Sequence, residues 1–241
     1  MAQQKFKYLF MTLTLAALLL ACSMETESLG SASCNFVTNS SKQRVSWKHT
    51  LPIKFRLHES VPPEAMASIY EAADLWNRMS VKPVIEVVSV GHKGAPSTRD
   101  QIPVIYWMHE WEDDRFLEQA RTTVRWLQDQ LVDADIKVNA KNFSFFYHNQ
   151  ERQLGAVDFV GLMVHEFGHA LGFAHNSVQE SVMFYQLRRG QERRKANNGL
   201  VFHETDIASY QCEYGEDMVL SFYVDAIKTG DSGIVSGASN P

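Results

Sequence analysis

One run of eleven residues constrains this chain more than any other: His165-Glu166-Phe167-Gly168-His169-Ala170-Leu171-Gly172-Phe173-Ala174-His175. On a helix, His165 and His169 lie one turn apart on the same face, so both imidazoles can reach one ion. Glu166 stands about 100° round the helix, beside that ion rather than beneath it. That position suits a base acting on a metal-bound water. Gly172 is free to take the left-handed conformation that ends a helix. The chain can then turn and bring His175 back as a third ligand. Three His ligands leave one position of a tetrahedral zinc open, the pattern of a catalytic site rather than a structural one. A lone histidine is usually a core or surface residue. Three at this spacing around a glutamate form a set.

The extended motif resembles that of the metzincin zinc endopeptidases. A second element strengthens the resemblance. Met183 stands eight residues after His175, within Ser181-Val182-Met183-Phe184-Tyr185, which is similar to the metzincin Met-turn. The short gap is closer to the matrixins, the matrix-metalloprotease branch, than to astacins or serralysins. Trp47, the strand from Ile53, the helix ending near Trp76-Asn77 and the strand with Ala134-Asp135-Ile136 resemble the matrixin N-terminal subdomain. Asp206-Ile207 and Tyr214-Gly215 resemble its C-terminal helix.

The resemblance implies an α+β, zincin-like catalytic domain: a twisted mixed β-sheet, an active-site helix and a C-terminal helix. It implies one catalytic Zn2+ on His165, His169 and His175, with Glu166 as catalytic base. Met183 would form the floor beneath the metal. The reaction implied is endoproteolysis by Glu-assisted attack of a zinc-bound water on a peptide carbonyl. In astacins and serralysins a Tyr at the offset of Tyr185 reaches the zinc, so Tyr185 is a candidate oxyanion group, with a pocket-wall aromatic as the alternative. Two competing readings remain: a non-catalytic binding or adhesion lipoprotein on a metzincin scaffold, and a zinc hydrolase of a non-peptide substrate.

The chain also departs from the family pattern. No cysteine-switch motif is legible, so zymogen control of that type is not expected. The segment before the zinc motif lacks the His/Asp pattern of the matrixin structural zinc, and His148 reads as structural or surface. Calcium sites are not legible. The usual Pro after the Met-turn is missing, which bears on cleavage preference.

Composition bounds the rest. The 241 residues are 45% hydrophobic and 21% charged, with a net charge of -5. That is ordinary globular composition with no basic excess, which argues against nucleic acid as a partner. Lys5 and Lys7 precede an apolar run from Leu9 to Ala21, too short for a stable membrane span but fitting a secretory signal. The run ends Leu19-Leu20-Ala21-Cys22, which resembles a bacterial lipobox with Cys22 as the lipidated first residue. Ser23 after the Cys implies the outer membrane. Cleavage there removes two lysines and no acid, leaving a net charge of -7. The expected partners are a protein or peptide substrate and, through the lipid, a membrane; the expected state is a monomer. Of the three cysteines, Cys34 and Cys212 are left as a candidate disulfide in an oxidising compartment, two buried thiols, or a metal-capping thiolate.

The domain plan follows: a signal peptide over 1–21, a lipidated N-terminus and flexible tether over 22–46, the catalytic domain over 47–215, and a tail over 216–241. Alternation of Ile53, Phe55 and Leu57 predicts a strand. Pro63 opens a helix running to Met79. Val84–Val90 and Val104–Trp111 read as strands, and Arg121–Leu127 with Leu131–Val138 as a hairpin. Phe143–Tyr147 is expected to extend that sheet. Asp158–Leu171 reads as a helix capped by Asp158, and Thr205–Cys212 as a second.

Overall fold

The computed structural model describes residues 34–47, 49–96, 100–191, 194–195, 199–200 and 202–215. The leader, Cys22 and the tail lie outside the described residues. Among the described residues no helix is long and apolar enough to cross a membrane.

The chain enters a strand, β1 (Ile53–His58), whose alternating residues Ile53, Phe55 and Leu57 are buried. Helix α1 (Pro63–Asn77) follows, with Pro at its first position, where the missing N–H costs nothing. It crosses to β2 (Ile85–His92), parallel to β1. The next strand, β3 (Val104–Met108), lies parallel on the other side of β1. A hairpin of β4 (Ala120–Leu127) and β5 (Gln130–Asn139) completes the sheet. β5 runs parallel to β3, and β4 runs antiparallel to β5. The strand order is β2-β1-β3-β5-β4, so β4 is an edge.

Phe145–Phe146 (β6) does not extend this sheet. It pairs in parallel with β7 (Val157–Asp158) in a separate two-stranded ladder. The physical reason is non-local: Phe145 and Val157 share a buried patch with Trp107 and Phe159, whose rings lie 5.1 and 5.3 Å from Phe145.

Helix α2 (Phe159–Ala170) carries the histidine motif and is buried on nearly all sides. A helix apolar all round belongs in a core, and α2 packs against both the sheet and α1. Phe167 meets Phe55 of β1 at 5.2 Å, and Trp76 of α1 donates its indole N–H to the Val164 carbonyl at 2.9 Å. Asp158 occupies the N-cap position, but its side chain makes no capping hydrogen bond to the helix. Short strands β8 (Arg194–Lys195) and β9 (Gly199–Leu200) pair antiparallel. Helix α3 (Glu204–Tyr214) closes the fold, with His203 and Asp206 forming a reciprocal capping box.

The expected tether is a correction. From Cys34 onward it belongs to the fold: Phe36 and Val45 are core residues. Its Ser, Thr and Asn content suggested a linker, but its backbone serves the end of α2. The last carbonyls of a helix lack intrahelical partners. Trp47 Nε1 donates to the Ala170 carbonyl at 2.7 Å, the Tyr214 hydroxyl to Leu171 at 2.5 Å, and the Val37 N–H to Gly172 at 2.9 Å. Ala174 N–H donates to the Asn35 carbonyl. Cys34 and Cys212 are disulfide-bonded, joining this segment to α3 across a sequence separation of 178. Beside them Arg44 pairs with Glu213 at 2.7 Å.

Candidate metal centre

Helical spacing places His165 and His169 on one face of α2, as the sequence predicts. Gly172, at φ +103°, ends the helix and reverses the chain. Ala174 is then held by Asn35, and the next residue is His175. The three Nε2 atoms converge: His165 to His169 is 3.1 Å, His169 to His175 3.0 Å, and His165 to His175 3.2 Å. Among the described residues no other group of three His, Cys, Asp or Glu brings its ligand atoms together in this way.

The outward nitrogens decide the tautomers. His165 Nδ1 lies 2.8 Å from the Val182 carbonyl, and His169 Nδ1 2.8 Å from the Phe173 carbonyl. A carbonyl only accepts, so each Nδ1 carries the proton and each Nε2 presents a lone pair inward. Two lone pairs facing each other at 3.1 Å repel unless a cation lies between them. Ligands bound at about 2.0–2.1 Å in a tetrahedron sit about 3.3 Å apart, close to the separations found. The donor set therefore fits one zinc ion. Burial holds His169 below the usual imidazole range, and burial with the charge of His169 does the same for His175. Both favour the neutral, ligating form.

Glu166 is buried beside the triad. Burial pushes its carboxyl up to about 7, against the lowering effect of a hydrogen bond from Thr122. The Thr122 hydroxyl, from β4, lies 2.6 Å from Glu166 Oε2. Sequence reading missed Thr122, because a lone Thr in an alternating strand carries no chemical signature.

Met183 is buried under α2, packed so closely against Gly168 that a side chain there would overlap it. The turn around it is held by a buried carboxylate from α3. Asp206 accepts from Ser181 Oγ, from Val182 N at 3.0 Å and from His203 N at 3.0 Å. Ser181 Oγ in turn accepts from Met183 N at 2.9 Å. Asp206 thus fixes Val182, whose carbonyl orients His165. The sequence placed Asp206 on the helix but not this contact.

Tyr185 is 63% exposed and packs on Phe184 at 4.4 Å. Among the described residues no hydrogen bond or ring contact joins it to the three histidines. His148 pairs with Glu71 of α1, and among the described residues it belongs to no group of three metal-ligating side chains. On the far face of β5, Asp133 and Asp135 are buried. Burial first, then the charge of Asp133, raises Asp135 to about 7.

A comparison with curated proteins returns no match. A family model does match, over residues 47–215. Its span takes in the sheet, the histidine triad, the Met183 turn and α3. The family is Matrixin, and the chain belongs to it.

Proposed function

We propose that this protein is a zinc-dependent endopeptidase acting on exposed or unfolded polypeptide. One observation carries the reading: three imidazoles turn their Nε2 atoms to a common point beside a buried glutamate, two of them with the proton held on the outer nitrogen. A zinc ion held there would supply Lewis acidity, lowering the pKa of water and polarising the scissile carbonyl. Glu166 accepts the proton of the attacking water and returns it to the departing amine. Its raised affinity for a proton suits that exchange. The outer edge of β4 offers backbone groups to an extended peptide, which adds as a further strand with little regard to sequence.

A binding protein on the same scaffold would not require an intact base, and here all three ligands and Glu166 are in place. The test is incubation of the full chain with an unfolded protein, reading cleavage sites by mass spectrometry. Parallel samples carry a zinc chelator or Glu166→Ala. Cleavage lost in both controls is the expected result. Cleavage surviving Glu166→Ala refutes the mechanism, and zinc bound without cleavage favours the binding-protein reading.

The N-terminal pattern supports a second proposal, that Cys22 is acylated and holds the enzyme on an outer membrane. Several acyl chains anchor more firmly than one. Cys22→Ala should move the protein from the membrane to the soluble fraction, and unchanged partitioning would overturn the assignment.

A further inference from the structure

We infer that Thr122 is a positioning residue for Glu166, holding one carboxylate oxygen so that the other is left to take the proton. The inference rests on the endopeptidase reading. Residues directly opposite on antiparallel strands share a face, and Ala120, Thr122 and Val124 stand opposite Val138, Ile136 and Ala134. That row faces the core. Ala120 and Val124 pack against it as apolar residues do, and Thr122 is the polar exception.

The hydroxyl has one proton and two acceptors in reach: Glu166 Oε2 at 2.6 Å and the Glu166 carbonyl at 3.2 Å. The nearer carboxylate oxygen takes it, since 3.2 Å is a long separation for an O–H donor and 2.6 Å a normal one. Among the described residues the hydroxyl and the backbone of Thr122 are the hydrogen-bonding groups that meet the carboxylate. A carboxylate with one oxygen fixed cannot turn about its last torsion without losing that bond. The direction of Oε1, the oxygen the hydroxyl does not hold, is therefore set from the sheet edge rather than from α2. β4 is also the strand proposed to pair with substrate. The same strand thus carries the peptide and aims the base, so register along β4 and aim of Glu166 move together.

The test compares wild type, Thr122→Val and Thr122→Ser as full, zinc-loaded chains. Val keeps the β-branched shape and removes the hydroxyl; Ser keeps the hydroxyl. Thr122→Val should lower kcat about tenfold or more, the order set by loss of one hydrogen bond to a charged group, with KM nearly unchanged. Thr122→Ser should restore most of it. Zinc content should stay at one per chain in all three. Calorimetric binding of a peptide hydroxamate, whose acidic N–OH proton passes to the base, supplies a readout without turnover. Its affinity should fall about tenfold in the Val variant and recover in the Ser variant, by the same loss. Wild-type kcat and hydroxamate affinity in Thr122→Val, or a Ser variant as impaired as Val, would overturn the inference. If wild type binds the hydroxamate yet cleaves nothing, the endopeptidase reading fails and the hydroxamate comparison alone decides Thr122.

Discussion

Gly168→Ala sets two effects of known size against each other. In a helix interior the change is worth about 0.8–1.0 kcal/mol of stability by propensity. Against that, an added Cβ at Gly168 would overlap the Met183 sulfur and stand 3.1 Å from Met183 Cε and 3.2 Å from Trp76 Cζ2. Met is flexible, but the atom struck first is mid-chain and buried. Trp76 cannot swing away freely, since its indole N–H is bonded to Val164 and its ring stacks on Phe173 at 5.3 Å. Overpacking of this kind costs about 1–3 kcal/mol. The net expectation is a loss of up to about 2 kcal/mol.

The strain should also reach the metal centre. Displacing Met183 shifts Val182, whose carbonyl holds His165, and loss of such a partner costs about 10–100-fold in metal affinity. Chemical denaturation and chelator competition measure the two effects. Met183→Ala removes the obstruction, so in that background Gly168→Ala should stabilise by about 0.5–1 kcal/mol through propensity alone. The coupling between the two sites is then the overpacking cost itself, about 1–3 kcal/mol, measurable by a double-mutant cycle. A Gly168→Ala variant that is stabilised with Met183 in place, or a cycle without coupling, would refute the packing argument.

Gly172→Ala should destabilise by about 2 kcal/mol or more, since φ is +103° and a Cβ would meet the Val45 carbonyl at 2.5 Å; denaturation midpoints test it, and a neutral effect contradicts it. Replacing Cys34 and Cys212 by Ser should cost about 3–5 kcal/mol, given the long loop they close; an unchanged melting temperature would oppose this. Asp135 binds its proton more tightly folded than unfolded, with a native pKa of about 7 against 3.8. Its contribution is present at low pH, falls as pH rises from about 4, and levels off above about 7. The stability gain from Asp135→Asn should therefore grow between pH 5 and pH 8, and a gain independent of pH would sink the assignment.

The histidine triad was legible because its geometry is local. His165 and His169 are one helical turn apart, and Gly172 announces the reversal that delivers His175. The strands with clear alternation, such as Ile53-Phe55-Leu57, were legible for the same reason. What escaped was set by contacts far apart in sequence. Ser, Thr and Asn around residues 34–46 hide a backbone that pairs with the end of α2. Phe145 finds Val157 rather than the hairpin, because aromatic packing with Trp107 and Phe159 outweighs sequence adjacency. Thr122 looks like any strand threonine until β4 is laid across α2. Asp206 reads only as part of the C-terminal helix, and only the fold brings it to Val182.

The bond between Cys34 and Cys212 also has a mechanical consequence. Tension applied from the N-terminal side enters the fold at Cys34. There it divides between the backbone that runs on to Trp47 and a covalent bridge into α3. The bridge is the stiffer path, so the hydrogen bonds that seat Phe36 and Val37 against the His175 turn are relieved of the pull. A domain tethered by its leading end can thus be tugged without its third histidine being dragged out of register.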